Sequence, residues 1–292
     1  MKVALIVNPF ATRTSDDTLG AVADELARAG EVTVLKTERP RHATELAAAS
    51  DADAVVVYSG DGGFNETLNG LERDVPVGFL PGGGTSVLSR ALGLPPDPVA
   101  AARRVADALE SGRTRRITVG RVNGRRFAFS AGIGLDAAAV RRVDEMGRNR
   151  DGKRPGDLAF ALAVLRVLVA ERGHVEPALE VKGMGRAAFA FVANANPYTY
   201  AKGVPLPIVP EADFELGLDM VAPVRIRRRS LVRTAWSVLS GHPRDGMLHA
   251  HDVDRIEIVC DHPMPLQADG EDLGDVSEAV FEAERGAVRV LV

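Results

Sequence analysis

Short apolar runs alternate with amphipathic segments along the first third of the chain. Residues 55–58 form a continuous Val-Val-Val-Tyr run, as expected for a strand that is buried on both faces. Residues 18–28 instead carry apolar side chains at helical spacing and run towards Gly30. Strands that alternate with helices of this length predict a parallel sheet with helices on both faces. The predicted strands are 3–7, 32–36, 55–58 and 77–80, and the predicted helices are 18–28, 43–50, 87–92, 98–111 and the segment after Gly62.

The pattern changes near residue 115, after which strand-like runs and turns dominate. Segments 116–121 and 126–130 predict two strands around Asn123-Gly124, a strong hairpin signal. Such strand-rich sequence predicts an antiparallel sandwich or curled sheet. We therefore predict one domain over 1–115, with 280–292 as a candidate addition to it, and a second over 116–279. Further strands are predicted at 179–181, 187–193, 218–221, 255–260, 265–268 and 288–292, and helices at 137–145, 158–170 and 228–239.

Composition and charge narrow the class of protein. The 292 residues suffice for two domains, and 46% hydrophobic with 26% charged residues is typical of a globular protein. A net charge of −4 gives no global basic field, which argues against a nucleic-acid partner. Cys260 is the only cysteine, so an internal disulfide is excluded. Because the first strand begins at the N-terminus and the apolar run 158–170 is too short to span a bilayer, we expect a cytoplasmic protein.

A glycine-rich turn, Gly60-Asp61-Gly62-Gly63, joins the strand at 55–58 to a helix. Glycines between a strand and a helix let backbone N–H groups approach a phosphate, and the helix dipole favours its negative charge. Asp61 is unusual there, because a carboxylate repels phosphate unless a cation bridges the two or the carboxylate accepts a proton. The turn therefore predicts a nucleotide site with Mg²⁺.

A second turn of this kind follows the strand at 77–80, with the sequence Pro81-Gly82-Gly83-Gly84-Thr85-Ser86. Either turn alone would be interpreted as an ordinary tight connection. Two such turns close in sequence should lie side by side at the carboxyl ends of parallel strands, where open α/β sheets bind ligands. Together they favour a phosphate site.

Several motifs in order along nearly the whole chain resemble the diacylglycerol kinase catalytic-domain family, which includes bacterial soluble lipid kinases and sphingosine kinases. They are Asn8-Pro9, Gly60-Asp61-Gly62 with Asn65-Glu66, the turn and helix at 81–95, the segments 129–137 and 192–195, and Asp269-Gly270-Glu271. The resemblance implies an α/β nucleotide-binding domain like those of phosphofructokinases and NAD kinases, followed by an antiparallel β-sandwich that receives a lipid.

The resemblance also implies an activity and residue roles. It implies ATP- and Mg²⁺-dependent transfer of the γ-phosphate to the hydroxyl of diacylglycerol or a related lipid alcohol. Glu271 is the implied base, Asp61 is a rival base and a Mg²⁺ ligand, and Asp269 belongs to the same catalytic set. Glu215 is a second metal candidate, because 215–217 replaces an Asp-Asp-Gly that often helps to hold a structural Mg²⁺. The implied nucleotide-binding residues are Asn8, Pro9, Ser59, Gly60, Gly62, Gly63, Asn65, Glu66, Gly82, Gly83, Gly84 and Thr85.

Departures from the family pattern keep other functions open. The family usually has Gly-Gly-Asp-Gly-Thr at the first turn and Gly-Thr-x-Asn at the second, whereas this chain has Ser59 and Gly63 in the first and Gly-Gly-Thr-Ser in the second. A weak or inactive nucleotide- or lipid-binding protein is one alternative, and an NAD kinase-like enzyme is another. His249 and His251 have a spacing that permits metal binding on a strand, although surface histidines are the favoured interpretation. Basic clusters such as 225–229 are interpreted either as solvated loop charge or as a surface for peripheral contact with anionic membranes. A homodimer is also left open.

Overall fold

The computed structural model describes residues 1–145, 174–197, 199–201, 204–206, 208–227 and 246–292. The chain divides into two compact units, of which unit 1 comprises 1–119 with 285–292 and unit 2 comprises 120–284. The chain crosses between them within two strands, β5 (Arg115–Val122) and β16 (Glu271–Val290). The predicted helices 158–170 and 228–239 lie outside the described residues.

Unit 1 is a parallel sheet with connecting helices. Its strands pair in the order β2-β1-β3-β4, and the end of β16 adds beside β4 through Val290 and Val77. Every residue of the third strand is buried, which matches the apolar run that precedes Ser59. The elements are β1 (Lys2–Val7), α1 (Asp16–Ala27), β2 (Glu31–Lys36), α2 (His42–Ala48), β3 (Ala54–Ser59), α3 (Asp61–Gly70), β4 (Val77–Pro81), α4 (Val87–Ala91) and α5 (Pro98–Ser111).

Local capping signals set the helix ends in unit 1. Asp97 accepts a hydrogen bond from the N–H of Ala100, Pro98 occupies the first turn of α5, and Gly112 ends the helix in the left-handed region. Ser15 caps α1 in the same way through the N–H of Thr18. Both signals are readable in the sequence, and the predicted helix Pro98–Ser111 is confirmed.

Unit 2 is built mainly from antiparallel strands around an apolar core that includes Phe127, Leu266 and Phe281. The strands pair in the order β14-β13-β10-β7-β15-β16, with β6 on β5, β8 on both β15 and β9, and β11 on β12. These pairings confirm the predicted fold class, a parallel α/β part followed by an antiparallel β part. The elements are β6 (Arg125–Phe127), β7 (Ser130–Ile133), α6 (Leu135–Glu145), β8 (Leu179–Val181), β9 (Gly185–Ala187), β10 (Ala190–Ala193), β11 (Thr199–Ala201), β12 (Val204–Leu206), β13 (Leu218–Pro223), β14 (Met247–Val253) and β15 (Arg255–Ala268).

Several predicted strand boundaries were wrong. The predicted strands 255–260 and 265–268 form one strand, β15, whose register against β16 shifts between Val259 and Met264. The predicted strand 126–130 is interrupted between β6 and β7, because the backbone N–H groups there donate hydrogen bonds to the side chain of Asp269. The predicted strand 288–292 is the end of a much longer strand, β16. Among the residues that the structure describes, every helix is too short or too polar to span a lipid bilayer.

Candidate functional site

The first glycine turn places Asp61 at the start of α3. Gly60 precedes the helix in an extended conformation, and Asp61 occupies the first helical turn, where a carboxylate is favoured by the helix dipole. The Oδ1 atom of Asp61 accepts a hydrogen bond from the N–H of Leu88 at 3.1 Å. Since Leu88 lies in α4, this bond ties the helix after the first turn to the helix after the second.

The two glycine turns meet backbone to backbone, as the sequence predicts. A Cβ atom on Gly83 would lie 2.8 Å from the Cα of Gly60, and one on Gly82 would lie 3.0 Å from the backbone of Ser59. The N–H of Gly82 donates to the carbonyl of Ser59 at 2.8 Å. Residues with side chains would separate the turns, so the close approach explains glycine at 82 and 83.

Gly62 and Gly84 have a different environment. Both are exposed, and a Cβ atom on either would find no neighbouring atom within 4 Å. Among the described residues, none accepts a hydrogen bond from the backbone N–H of Gly83 or Gly84. Gly62 and Gly63 lie in the first turn of α3, whose N–H groups have no acceptor within the helix. N–H groups at the start of a helix and in a glycine turn, with open space beside Gly62 and Gly84, form the kind of cradle that binds phosphate. The unit 1 residues therefore fit a phosphate-bearing ligand.

Ser59 and Gly63 are the two departures from the family pattern in the first glycine turn. The Ser59 side chain is buried, and its Oγ atom has no hydrogen-bond partner among the described residues. A Cβ atom on Gly63 would lie only 2.1 Å from that Oγ. A threonine at 63 is therefore incompatible with Ser59 in its present position, and the two departures from the family pattern compensate each other in space.

Asn8 and Pro9 begin the loop that follows β1. The N–H of Asn8 donates to the carbonyl of Tyr58, and its Oδ1 accepts from the N–H of Phe10 at 3.0 Å. Further along this loop, the N–H of Arg13 donates to the carbonyl of Gly82. The loop is thus anchored to β3 and to the second glycine turn. Burial raises the pKa of Tyr58, whose hydroxyl donates to the carbonyl of Arg13.

Asn65 and Glu66, both predicted to bind nucleotide, make contacts within unit 1. Asn65 is buried, and its Oδ1 accepts a hydrogen bond from the side chain of Asn69 at 3.2 Å. Glu66 Oε2 accepts from the N–H of Ala43 at 3.3 Å, in the first turn of α2. These contacts give each side chain a role in packing α3 within the unit.

Thr85 is half-buried between Gly84 and the start of α4. The next residue, Ser86, has a left-handed backbone with φ of 47°, and its hydroxyl donates to the carbonyl of Gly83 at 3.1 Å. Sequence reasoning did not assign a role to Ser86, although a serine before a helical run is a recognisable capping signal. Here its side chain closes the second glycine turn.

In unit 2, Asp269 and Gly270 form the tight turn between β15 and β16. Both have positive φ, 48° and 77°, and Ala268 pairs with Glu271 across the turn, as in a two-residue type I′ hairpin. The Asp269 carboxylate accepts hydrogen bonds from three successive backbone N–H groups, those of Ala128, Phe129 and Ser130. Asp269 therefore holds the turn against the end of β6 and the start of β7.

Glu271 is the first residue of β16, and its side chain is about half exposed. Its carboxylate forms an ion pair with Arg125 of β6. Sequence reasoning did not find Arg125, since the pair joins residues 146 positions apart. On the next residue, hydrogen bonds from the Arg141 guanidinium hold the pKa of Asp272 below its usual range.

Glu215, the second metal candidate, is exposed in the loop before β13, and its N–H donates to the side chain of Asp213. Glu215 is not among the described residues whose metal-type ligand atoms lie close together. Those residues are Glu211, Asp219 and His251, with the ligand atoms all within 4.8 Å of one another.

Comparisons with known proteins agree with both units. Residues 2–122 match the family described as "Diacylglycerol kinase catalytic domain", and residues 129–292 match the "YegS C-terminal NAD kinase beta sandwich-like domain". A diacylglycerol kinase from Bacillus subtilis is 28% identical over 241 residues, which cover 79% of this chain and 75% of that protein.

Two solved structures share the fold. The crystal structure of a diacylglycerol kinase from Bacillus anthracis has a TM-score of 0.71 at 21% identity, covering 99% of this chain and 96% of that one. An NAD kinase from Archaeoglobus fulgidus in complex with ATP has a TM-score of 0.57 at 15% identity, covering 100% of this chain and 94% of that one. At these identities the likeness concerns the fold, and it confirms the predicted NAD kinase-like architecture.

Proposed function

Because the chain belongs to the diacylglycerol kinase catalytic-domain family, we propose that it is an ATP- and Mg²⁺-dependent lipid kinase. It transfers the γ-phosphate of ATP to the hydroxyl of diacylglycerol or a related lipid alcohol. One observation within unit 1 carries the proposal: the glycine turns meet backbone to backbone, with open space at Gly62 and Gly84. The name of the Bacillus subtilis relative supports a lipid acceptor.

Unit 1 supplies the proposed phosphate contacts. The backbone N–H groups of Gly62, Gly63, Gly83 and Gly84 donate to the phosphates, and the α3 dipole favours their charge. Their positions do not depend on side-chain rotamers, because the close contact between the turns fixes the backbone. Mg²⁺, when bound, neutralises charge on the transferring phosphoryl group, and Asp61 is the carboxylate that we propose to hold it.

Transfer to a lipid hydroxyl also requires a group that accepts the hydroxyl proton. We propose Glu271 for this role, with Asp61 as the rival. The side chain of Glu271 is accessible and follows a rigid turn, while Arg125 orients its carboxylate. Asp269 already accepts three backbone hydrogen bonds, which supports a role in positioning Glu271 rather than in accepting the proton.

A lipid substrate lies in a membrane, and we propose that the protein docks peripherally on an anionic membrane surface. Arg225 and Arg227 are exposed residues of unit 2 and part of a basic cluster in an acidic protein. Each basic residue near such a surface contributes about 1 kcal/mol of attraction, which salt screens. Flotation with anionic but not neutral vesicles, weakened in an Arg225→Gln/Arg227→Gln variant, is the expected result. Equal flotation with both vesicle types would contradict the docking.

The test of the kinase proposal is transfer of radiolabelled γ-phosphate from Mg·ATP to a panel of lipid alcohols in mixed micelles. The wild type is compared with Glu271→Gln and Asp61→Asn, and with matched controls Glu278→Gln on β16 and Asp24→Asn on α1, both exposed. A lost general base lowers turnover by about 10²–10⁴-fold. Loss of a metal ligand is instead partly recovered at higher Mg²⁺ concentration.

The same assay separates the competing functions when NAD is included among the acceptors. A labelled lipid in the wild type and both controls, with turnover lost in Glu271→Gln while ATP still binds, supports the proposal. Labelled NAD without labelled lipid would indicate an NAD kinase-like enzyme. ATP binding without any labelled product would favour a nucleotide- or lipid-binding protein and contradict the kinase proposal.

A further inference from the structure

Two carboxylates and two imidazoles cluster in unit 2. Ligand atoms of Glu211, Asp219 and His251 all lie within 4.8 Å of one another. The Nδ1 atom of His251 is 3.0 Å and 3.1 Å from the two carboxylate oxygens of Asp219. A fourth group adjoins the set, because Nε2 of His249 lies 3.6 Å from Oε2 of Glu211.

An irregular pairing of two strands builds this cluster. His249 and His251 are two residues apart on β14, so their side chains extend from the same face of the strand. The register between β13 and β14 shifts beside Asp219, and Asp252 takes a left-handed backbone with φ of 53°. In this arrangement the Asp252 N–H donates to Asp219 Oδ1 at 2.8 Å while the His251 ring faces the same carboxylate.

Burial and anchoring fix most of the set. The Asp219 side chain is fully buried, whereas those of His249, His251 and Glu211 are 29%, 43% and 58% exposed, so the cluster opens to solvent on one side. Glu211 lies in the loop before β13, and its neighbour Ala212 packs into an apolar cluster. The site therefore combines a rigid buried oxygen ligand with three groups that an ion in solution can reach.

A simple ion pair between Asp219 and His251 explains only part of this arrangement. The ion pair gives the buried Asp219 carboxylate a partner. It does not explain why a second carboxylate, that of Glu211, lies 4.0 Å from the His251 ring and 3.6 Å from the His249 ring. Two carboxylates this close repel each other unless a positive charge lies between them. A bound cation satisfies both carboxylates and uses both neutral imidazoles as ligands.

We propose that Glu211, Asp219, His249 and His251 bind a divalent transition-metal ion of the Zn²⁺ type. In a tetrahedral site with bonds of about 2.0–2.1 Å the ligand atoms are about 3.3 Å apart. The observed separations are 3.0 Å for His251–Asp219, 3.6 Å for His249–Glu211 and 4.0 Å for His251–Glu211. Binding therefore draws the exposed Glu211 inwards and recruits His249, which lies outside the three residues whose ligand atoms are all within 4.8 Å. A set with two imidazoles suits Zn²⁺, whereas Mg²⁺ and Ca²⁺ prefer oxygen ligands only. The site belongs to unit 2 and does not depend on the proposed kinase activity.

Isothermal titration of the full-length, chelator-treated protein with ZnCl₂, without ATP, tests the proposal. We expect one Zn²⁺ per chain, not displaced by millimolar Mg²⁺. His251→Gln retains a hydrogen-bond donor for Asp219 but removes a ligand, and should weaken Zn²⁺ binding at least tenfold. His262→Gln is the matched control, because His262 is an exposed histidine of β15 outside the cluster, and should bind as the wild type does.

The thermal midpoint gives a second measurement that does not depend on activity. Zn²⁺ should raise it in the wild type and in His262→Gln but not in His251→Gln, since a ligand that binds only the folded state stabilises that state. Far-UV circular dichroism confirms that each variant is folded before titration. Absence of stoichiometric Zn²⁺ binding by the wild type, or equal affinity in His251→Gln, would overturn the proposal and leave the Asp219–His251 ion pair as the explanation.

Discussion

Gly63→Ala should destabilise this protein, although alanine normally favours a helix over glycine. The new Cβ would lie 2.1 Å from Oγ and 2.7 Å from Cβ of Ser59, well inside the contact distance of about 3.5–4.0 Å between carbon atoms. Because Ser59 is only 2% exposed, its side chain has little room to move away. Overpacking of this kind costs about 1–3 kcal/mol.

In a Ser59→Gly background the same substitution should become stabilising. Both atoms that the new Cβ would meet belong to the serine side chain, so removing that side chain removes the clash. Replacing a glycine where space and backbone permit then gains about 0.4–1 kcal/mol, through the lower entropy of the unfolded chain. The two effects differ by about 1.4–4 kcal/mol, which is the coupling free energy between positions 59 and 63 and lies in or above the upper part of the range of about 0.5–3 kcal/mol for residues in contact.

The assay is urea unfolding of the four proteins of this double-mutant cycle, followed by far-UV circular dichroism. Since the chain has two units, the transition that includes the helices of unit 1 is the one compared. The cost of Ser59→Gly itself cancels in the cycle. If Gly63→Ala changes stability by the same amount in both backgrounds, to within about 0.5 kcal/mol, the Ser59 side chain is not what requires glycine at 63.

Three further predictions follow from unit 2. Arg125→Met removes the ion pair with Glu271, so it should lower phosphoryl transfer roughly tenfold without changing ATP affinity if Glu271 is the base; unchanged turnover would refute this orienting role. Arg141 lowers the pKa of Asp272, so their interaction stabilises the fold above about pH 4 and is lost as the pH falls through the folded-state pKa. The free energies of unfolding of wild type and Arg141→Met, measured in urea, should therefore differ by about 1 kcal/mol at pH 7 and converge in acid; a constant difference would contradict the assignment. Burial raises the pKa of Cys260 to about 11, so a thiol reagent at pH 8 should label the native protein roughly a hundredfold more slowly than a free thiol, and labelling at the free rate would contradict that burial.

Local patterns were sufficient to predict the class of fold. The apolar run at 54–58 and the capped helix Pro98–Ser111 are encoded by neighbouring residues, so hydrophobic pattern and capping identify them without knowledge of the rest of the chain. The position of the two glycine turns also follows from sequence, because successive parallel strands place their carboxyl ends at one edge of the sheet. The strand boundaries in the second half were less accurate, since they depend on partners distant in sequence.

The order of strands and helices, the location of the glycine turns and the family resemblance could all be predicted from sequence, because each depends on residues close together in the chain. Which polar groups meet depends instead on the packing of distant segments. Asp269 reaches three backbone N–H groups some 140 residues away, and Asp219 meets a histidine 32 residues later. Ser59 and Gly63 are close in sequence, but their mutual exclusion depends on the packing of a strand end against a helix start. Such contacts form only when distant segments pack together in the folded chain, so neither the hydrophobic periodicity nor the capping signals of the sequence predict them.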